Sequence, residues 1–257
     1  MSSSSCYLYG VCPAPGPHVE SLTTTLGGVN QPVQLIEESD LVMVWSALEE
    51  DIPTLRASRK NLMAHQKVLE EILKTHTLLP LRFGTIAENE DQVRRLLARN
   101  QEAMQQQLQR VEGKFEMGLK AIWKDMQVIF QELVADNQTI QKRKQQAQKG
   151  GLSHDQQIEL GKQVEQALQN KRELEAQALL QRLQPLALEY SQQDPIGDSM
   201  CLNAAFLIDR AHEAAFDERV QQIGDDYENR MDFKYVGPLP PYNFVTLDLQ
   251  WEEQPQS

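Results

Sequence analysis

Asp209, His212, Glu213 and Asp217 fall at helical spacing, and carboxylates grouped with an imidazole on one helix face are the kind of set that can hold a divalent cation. A capping Asp followed by a polar helix face accounts for the same residues without a metal. His65 lies three residues after Leu62 and four before Leu69, on the apolar stripe of its helix, which suits a core histidine with a local hydrogen bond. His76 ends that helix, where the dipole favours a cation. Arg82 sits between Leu81 and Phe83 in an otherwise apolar run, so its charge must reach solvent or an acid; a structural ion pair is the simpler reading than an anion site. There is no Gly-rich phosphate loop, Cys–His pair or nucleophile elbow, and Gly27-Gly28, Gly150-Gly151 and Gly197 read as loop and turn glycines. The residues therefore predict no catalytic, cofactor-binding or metal site.

The 257-residue chain carries a net charge of −12, which argues against nucleic-acid binding because phosphate neutralisation needs clustered Lys and Arg. The one basic cluster, Lys142-Arg143-Lys144 with Lys149, sits in a Gln-rich helical stretch and reads as a solvated face. Cys6, Cys12 and Cys201 lack metal-ligand spacing, and no apolar run has the length of a signal peptide or membrane span. The expectation is a cytosolic chain with reduced thiols, in which the sequon Asn137-Gln138-Thr139 is a chance match.

These side chains must be positioned by two domains. In the first, residues 6–12 form a strand ended by Pro13, Pro15 and Pro17, and the runs 33–37 and 41–47 pair across Glu38-Ser39-Asp40 as a hairpin. Pro53 is expected to open a helix striped by Leu55, Leu62, Leu69, Ile72 and Leu73. Residues 78–86 read as a strand with Pro80 at its start or on an edge, and 89–111 as one helix carrying Val93, Leu96, Leu97, Met104, Leu108 and Val111. The order is β-β-β-α-β-α, in a domain of residues 1–112.

At Gly113 the period changes from helical to alternating. Phe115, Met117, Leu119, Ala121 and Trp123 form one face of a strand, and Glu116, Gly118 and Lys120 the other. The region 124–183 reads as two helices with a flexible break at Gly150-Gly151, an extended hairpin whose Gln-rich part projects or frays. Leu186, Leu188 and Tyr190 alternate, as do Met200, Leu202, Ala204, Phe206 and Ile208 after the turn 194–198; Asp209 caps a further helix, and a strand opens at Met231. This β-α-β-β-α-β order over 113–237 is that of a ferredoxin-like domain within an α+β protein.

The last strand alternates Phe233 and Tyr235 with Asp232 and Lys234, and Gly237-Pro238 should end its ladder. Pro238, Pro240 and Pro241 should hold Leu239 extended in a polyproline-like track, within an extended Pro-rich segment and tail of residues 238–257. Tyr242, Phe244 and Val245 would be delivered to a groove on this molecule or on a partner.

Leu79-Pro-Leu-Arg-Phe-Gly-Thr85, Gly113-Lys-Phe-Glu-Met-Gly-Leu-Lys120, Leu202-Asn-Ala-Ala-Phe206 and Tyr235-Val-Gly-Pro-Leu-Pro-Pro-Tyr-Asn-Phe-Val245 together resemble the gas vesicle GvpF/GvpL family. Length and acidity suit the cyanobacterial GvpF type. The resemblance implies a non-enzymatic accessory or minor structural protein with two domains, the second ferredoxin-like. It also implies the shell protein GvpA as partner, with other Gvp accessory proteins, and a place on the gas vesicle shell, its gas-facing surface included. Arg82, Phe83, Tyr235, Pro240, Pro241, Tyr242 and Phe244 are the structural or partner-contact candidates on these motifs. A ligand-binding or enzymatic module on a ferredoxin-like scaffold stays open as the alternative.

Overall fold

The computed structural model describes residues 5–48 and 55–251. They divide into two compact units, one of residues up to 116 together with those from 238 on, the other of residues 117–237. The C-terminal segment thus belongs to the first unit and is not a separate piece.

In the first unit, β1 (Ser5–Pro13) pairs antiparallel with β5 (Leu41–Leu48), which pairs in turn with β4 (Gln34–Glu38). The other edge of β1 meets β6 (Leu79–Pro80) and β7 (Ile86–Ala87). Strand β1 is buried on both faces. Cys6, Leu8 and Val11 join Val93, Leu97, Met104 and Leu108, whereas Tyr7, Tyr9 and Cys12 join Val68, Leu69 and Ile72. A register shift between Leu8 and Gly10 resets the alternation. Gly10 is required there because a Cβ would stand 2.6 Å from the Leu79 carbonyl oxygen.

Helix α1 (Arg59–Leu73) starts where the Ser58 side chain accepts from the Asn61 N–H. The expected start at Pro53 lies outside the described residues. Leu55 precedes the helix and Leu62 is 43% exposed, so the seven-residue leucine spacing misplaced the stripe; the buried face is His65, Val68, Leu69, Ile72 and Leu73. The single strand expected over 78–86 is two short ones, β6 and β7. They are parted by a turn in which Gly84 takes φ 86° and the Arg82 carbonyl accepts from Thr85. Pro80 lies in the edge strand β6, where a missing donor costs little. The helix expected over 89–111 breaks at buried Asn100 into α2 (Glu90–Arg99) and α3 (Gln101–Val111). One hairpin was not foreseen: β2 (Thr23–Leu26) pairs with β3 (Val29–Pro32) around Gly27 and Gly28, whose positive φ angles suit a two-residue turn.

The second unit carries most of a four-stranded sheet in the order β11-β8-β10-β9, formed by β8 (Lys114–Trp123), β9 (Glu189–Gln192), β10 (Met200–Asp209) and β11 (Met231–Leu239). Phe115, Met117, Leu119, Ala121 and Trp123 are all buried, as the alternation requires. On the opposite faces Leu207 is buried and Ile122 half-buried, while Val236 is 53% exposed. Leu188 and Tyr190 are exposed, so their alternation marks an edge strand with one open face. The 124–183 region is three helices rather than two: α4 (Met126–Asp136), α5 (Gln138–Gln148) and α6 (His154–Leu183). Asn137 caps α5 after α4 ends, and Gly150, at φ 73°, turns the chain into α6. Ile140 is buried, so the Gln-rich arm has an inward face, although the rest of α5 is largely exposed. Asp209 caps a short 3-10 turn (Arg210–His212) that leads into α7 (Glu213–Asp226).

Strand β11 runs through Gly237-Pro238 to Leu239 instead of ending there. It is an edge strand, and proline is tolerated on the side that faces no neighbour. The polyproline-like track expected next is replaced by a turn, with the Tyr242 N–H donating to the Pro240 carbonyl and the Phe244 N–H to the Pro241 carbonyl.

Candidate functional site

Around Tyr242 the first unit gathers its aromatic and titratable side chains. Strand β1 supplies Tyr7 and Tyr9, α1 supplies His65, the turn after β6 supplies Phe83, and the C-terminal segment brings Tyr242 from far along the chain. His65 Nδ1 is hydrogen-bonded to the Tyr7 hydroxyl at 2.8 Å, and its Nε2 to the Tyr242 hydroxyl at 3.2 Å. Tyr9 stacks on the imidazole at 5.5 Å and donates to Ser46 Oγ, which donates on to the Pro32 carbonyl. Phe83 stands edge-on to both Tyr7 and His65.

Burial dominates the electrostatics of this cluster. Desolvation lowers His65 to about 4, pushes Tyr9 up to about 12, and raises Tyr7 and Tyr242 further. All four are neutral at pH 7, and both imidazole nitrogens are occupied by phenols. The arrangement offers no group poised near neutrality for proton transfer and works as a braced aromatic core.

Two further clasps hold the C-terminal segment. Glu116, only 4% exposed, accepts from the Asn243 backbone N–H at 2.9 Å and from its Nδ2 at 2.7 Å. Its carboxyl is raised by desolvation, which the Asn243 hydrogen bonds partly offset. Asn100 uses the helix break to meet Gln250: its Oδ1 accepts from the Gln250 N–H at 3.0 Å and its Nδ2 donates to the Gln250 carbonyl. Val245, Leu247 and Leu249 between the clasps, and Trp251 just beyond the second, lie against the core of β1, α2 and α3.

The candidates read from the sequence separate accordingly. Pro240, Pro241 and Phe244 are buried and Tyr242 is half-buried. Tyr235, in the second unit, donates its hydroxyl to Asp217 and stacks on Phe216. Asp217 and the capping Asp209 are thereby accounted for, and among the described residues no cluster of His, Cys, Asp and Glu could hold a metal. Arg82 is exposed, and among the described residues no carboxylate lies within ion-pair distance, so the ion pair expected for it is replaced by solvent. Glu116, Asn100 and Asn243 were missed as fasteners, because their partners are remote in sequence.

The second unit has its own fastener. Arg230 grips Glu132 with both terminal nitrogens, at 2.9 and 2.8 Å, and also bonds Glu175, which accepts from Trp123 Nε1 at 2.7 Å; Lys171 adds a 2.9 Å contact to Glu132. Hydrogen bonds from Arg230 lead in lowering Glu132 to about 2.

Beside the aromatic cluster, a groove of about 1010 Å³ runs between β2 and α1, lined by Thr23, Leu62, Met63, Lys67, Arg82 and Phe83 among others. Among the described residues its cations are in no ion pair, and Leu62, Met63, Val68 and Phe83 make part of its lining apolar.

Fold and sites define a two-unit α+β protein whose polar and aromatic clusters fasten chain segments together. A family model described as gas vesicle synthesis protein GvpL/GvpF matches residues 5–246. Over 249 residues the chain is 31% identical to gas vesicle protein F of Nostoc sp., covering 95% of this chain and 99% of that one. It is 30% identical over 246 residues to gas vesicle protein F of Dolichospermum flosaquae, covering 94% and 98%. The crystal structure of GvpF from Anabaena sp. superposes with a TM-score of 0.81 at 31% identity, covering 96% of this chain and all of that one. The chain belongs to the GvpL/GvpF family of gas vesicle proteins.

Proposed function

We propose that this protein is a non-enzymatic gas vesicle component or assembly factor that binds the shell protein GvpA while the vesicle forms, acting at the shell and on its gas-facing surface. The observation that carries the reading is what the family's Pro-aromatic block does here. Pro240, Pro241, Tyr242 and Phe244 secure the C-terminal segment inside the first unit, which preserves a shape rather than a reaction centre. The second unit is read as ferredoxin-like, since a strand order of fourth, first, third, second with helices in both crossovers is that arrangement. A shell subunit with apolar surface must be handled before that surface is buried, and a carrier of net charge −12 keeps such a complex dispersed. The protein should capture GvpA without nucleotide. Pull-down of GvpA by the purified chain, with and without other vesicle proteins, tests this. Absence of capture in both arms overturns the proposal.

A further inference from the structure

The groove beside α1 is unlike the rest of this acidic molecule. Lys60, Lys67 and Arg82 line it against one carboxylate, Glu70, which accepts from Gln66 Nε2. Among the described residues none of the three cations is in an ion pair. Between them lie exposed apolar groups, Leu62 at 43% and Met63 at 60%, with Phe83 half-buried. Nothing in the folding of α1 needs two large apolar side chains on its outer face, since its buried stripe is complete without them.

The far wall of the groove is β2, whose only strand partner among the described residues is β3. Leu26 and Val29 close a two-residue turn and so form a hydrogen-bonded pair. By alternation Thr24 and Gln31 form the next, and the backbone N–H and C=O of Thr23 and Thr25 point away from β3. Thr23 and Thr25 both line the groove. An open strand edge, an apolar floor and a cationic rim therefore border one space.

We propose that this groove docks an extended, acidic segment of a partner polypeptide, which adds to the edge of β2, sets alternate apolar side chains on Leu62, Met63 and Phe83, and directs carboxylates to Lys60, Lys67 and Arg82. Main-chain pairing gives affinity that tolerates sequence variation, while the rim selects for acidity and speeds encounter despite the overall negative charge. The site stands independently of GvpA binding.

The test uses the full chain and a short synthetic peptide alternating leucine with glutamate, its binding followed by fluorescence anisotropy of a dye on the peptide. Binding should weaken with added salt, fall about tenfold or more when Lys60, Lys67 and Arg82 are all changed to Glu, and fall comparably in Met63→Asp. All four side chains are exposed, and unchanged circular dichroism and melting would verify that the variants fold. N-methylation of alternate peptide amides should abolish binding. Equal binding of a leucine–lysine peptide, of polyglutamate without leucine, or of the N-methylated peptide would each overturn the proposal, as would uptake of neutral phospholipid vesicles in preference to the peptide.

Discussion

Tyr242 and Phe244 are neighbours with different work to do, and the difference is measurable. Tyr242→Phe removes the hydroxyl that meets His65 Nε2 and should lower stability by about 1 kcal/mol, the usual net value of one hydrogen bond. Phe244→Ala empties a buried position and should cost about 3 kcal/mol. Melting curves of the two variants check the ranking, and GvpA capture measured beside them separates bracing from contact. His65 adds a pH signature. Its folded pKa of about 4 lies below its unfolded value near 6.5, so the unfolded chain binds the extra proton between these limits. The stabilisation is whole above about pH 6.5 and is lost as pH falls to about 4, by up to about 3 kcal/mol. Glu116, raised by burial, acts in the opposite sense, because its protonation relieves a buried charge as pH falls. His65→Phe should flatten the acid side of a stability–pH profile, and Glu116→Gln should steepen it. Burial pushes Cys6, Cys12 and Cys201 up to about 12, so a thiol reagent at neutral pH should label them only on unfolding.

At the scale of elements, the sequence is readable where period and punctuation agree. The alternation of Phe115 through Trp123 marks β8, and Glu38-Ser39-Asp40 marks the β4–β5 turn, because each is set by neighbours along the chain. The β2–β3 hairpin escaped notice because its strands are threonine, asparagine and glutamine with little apolar signal, although Gly27-Gly28 is a turn pair. The break at Asn100 is silent in the apolar stripe, which continues from Leu97 to Met104; the Asn100 side chain there bonds the Leu96 carbonyl locally and the Gln250 backbone, 150 residues away. Helix α5 offers a direct test of local stability. With Ile140 as its buried residue, amides of residues 142–152 should exchange orders of magnitude faster than those of α6 near Leu179 and Leu180, which are buried. Arg230→Ala should extend that lability to α4 by removing the bidentate grip on Glu132 and leaving Lys171 as the one cation shared by Glu132 and Glu175. Comparable protection across 142–152 and 176–183 would contradict the first expectation.

For the whole molecule, the decisive feature is that the chain returns at Pro238 to complete the unit it began with. Sequence order suggested a tail beyond the second domain. Proline spacing speaks of local extension and carries no information about a return, and the alternation of Val245, Leu247, Leu249 and Trp251 was the signal that could have indicated one. A chain truncated after Gly237 would lose Tyr242 from one face of the β1 core, the apolar row from the other, and both the Asn243 and Gln250 clasps. Glu116 would then be a carboxylate without its two donors. Those losses fall on residues 5–116, while the ion cluster of Arg230, Glu132 and Glu175 stays intact in residues 117–237. The truncated protein should melt in two steps, with the amides of β1, β5 and α1 losing protection first and those of β10 and α7 retaining it. A single transition in which both units lose protection together would mean that the second unit cannot hold its structure once the C-terminal segment is gone.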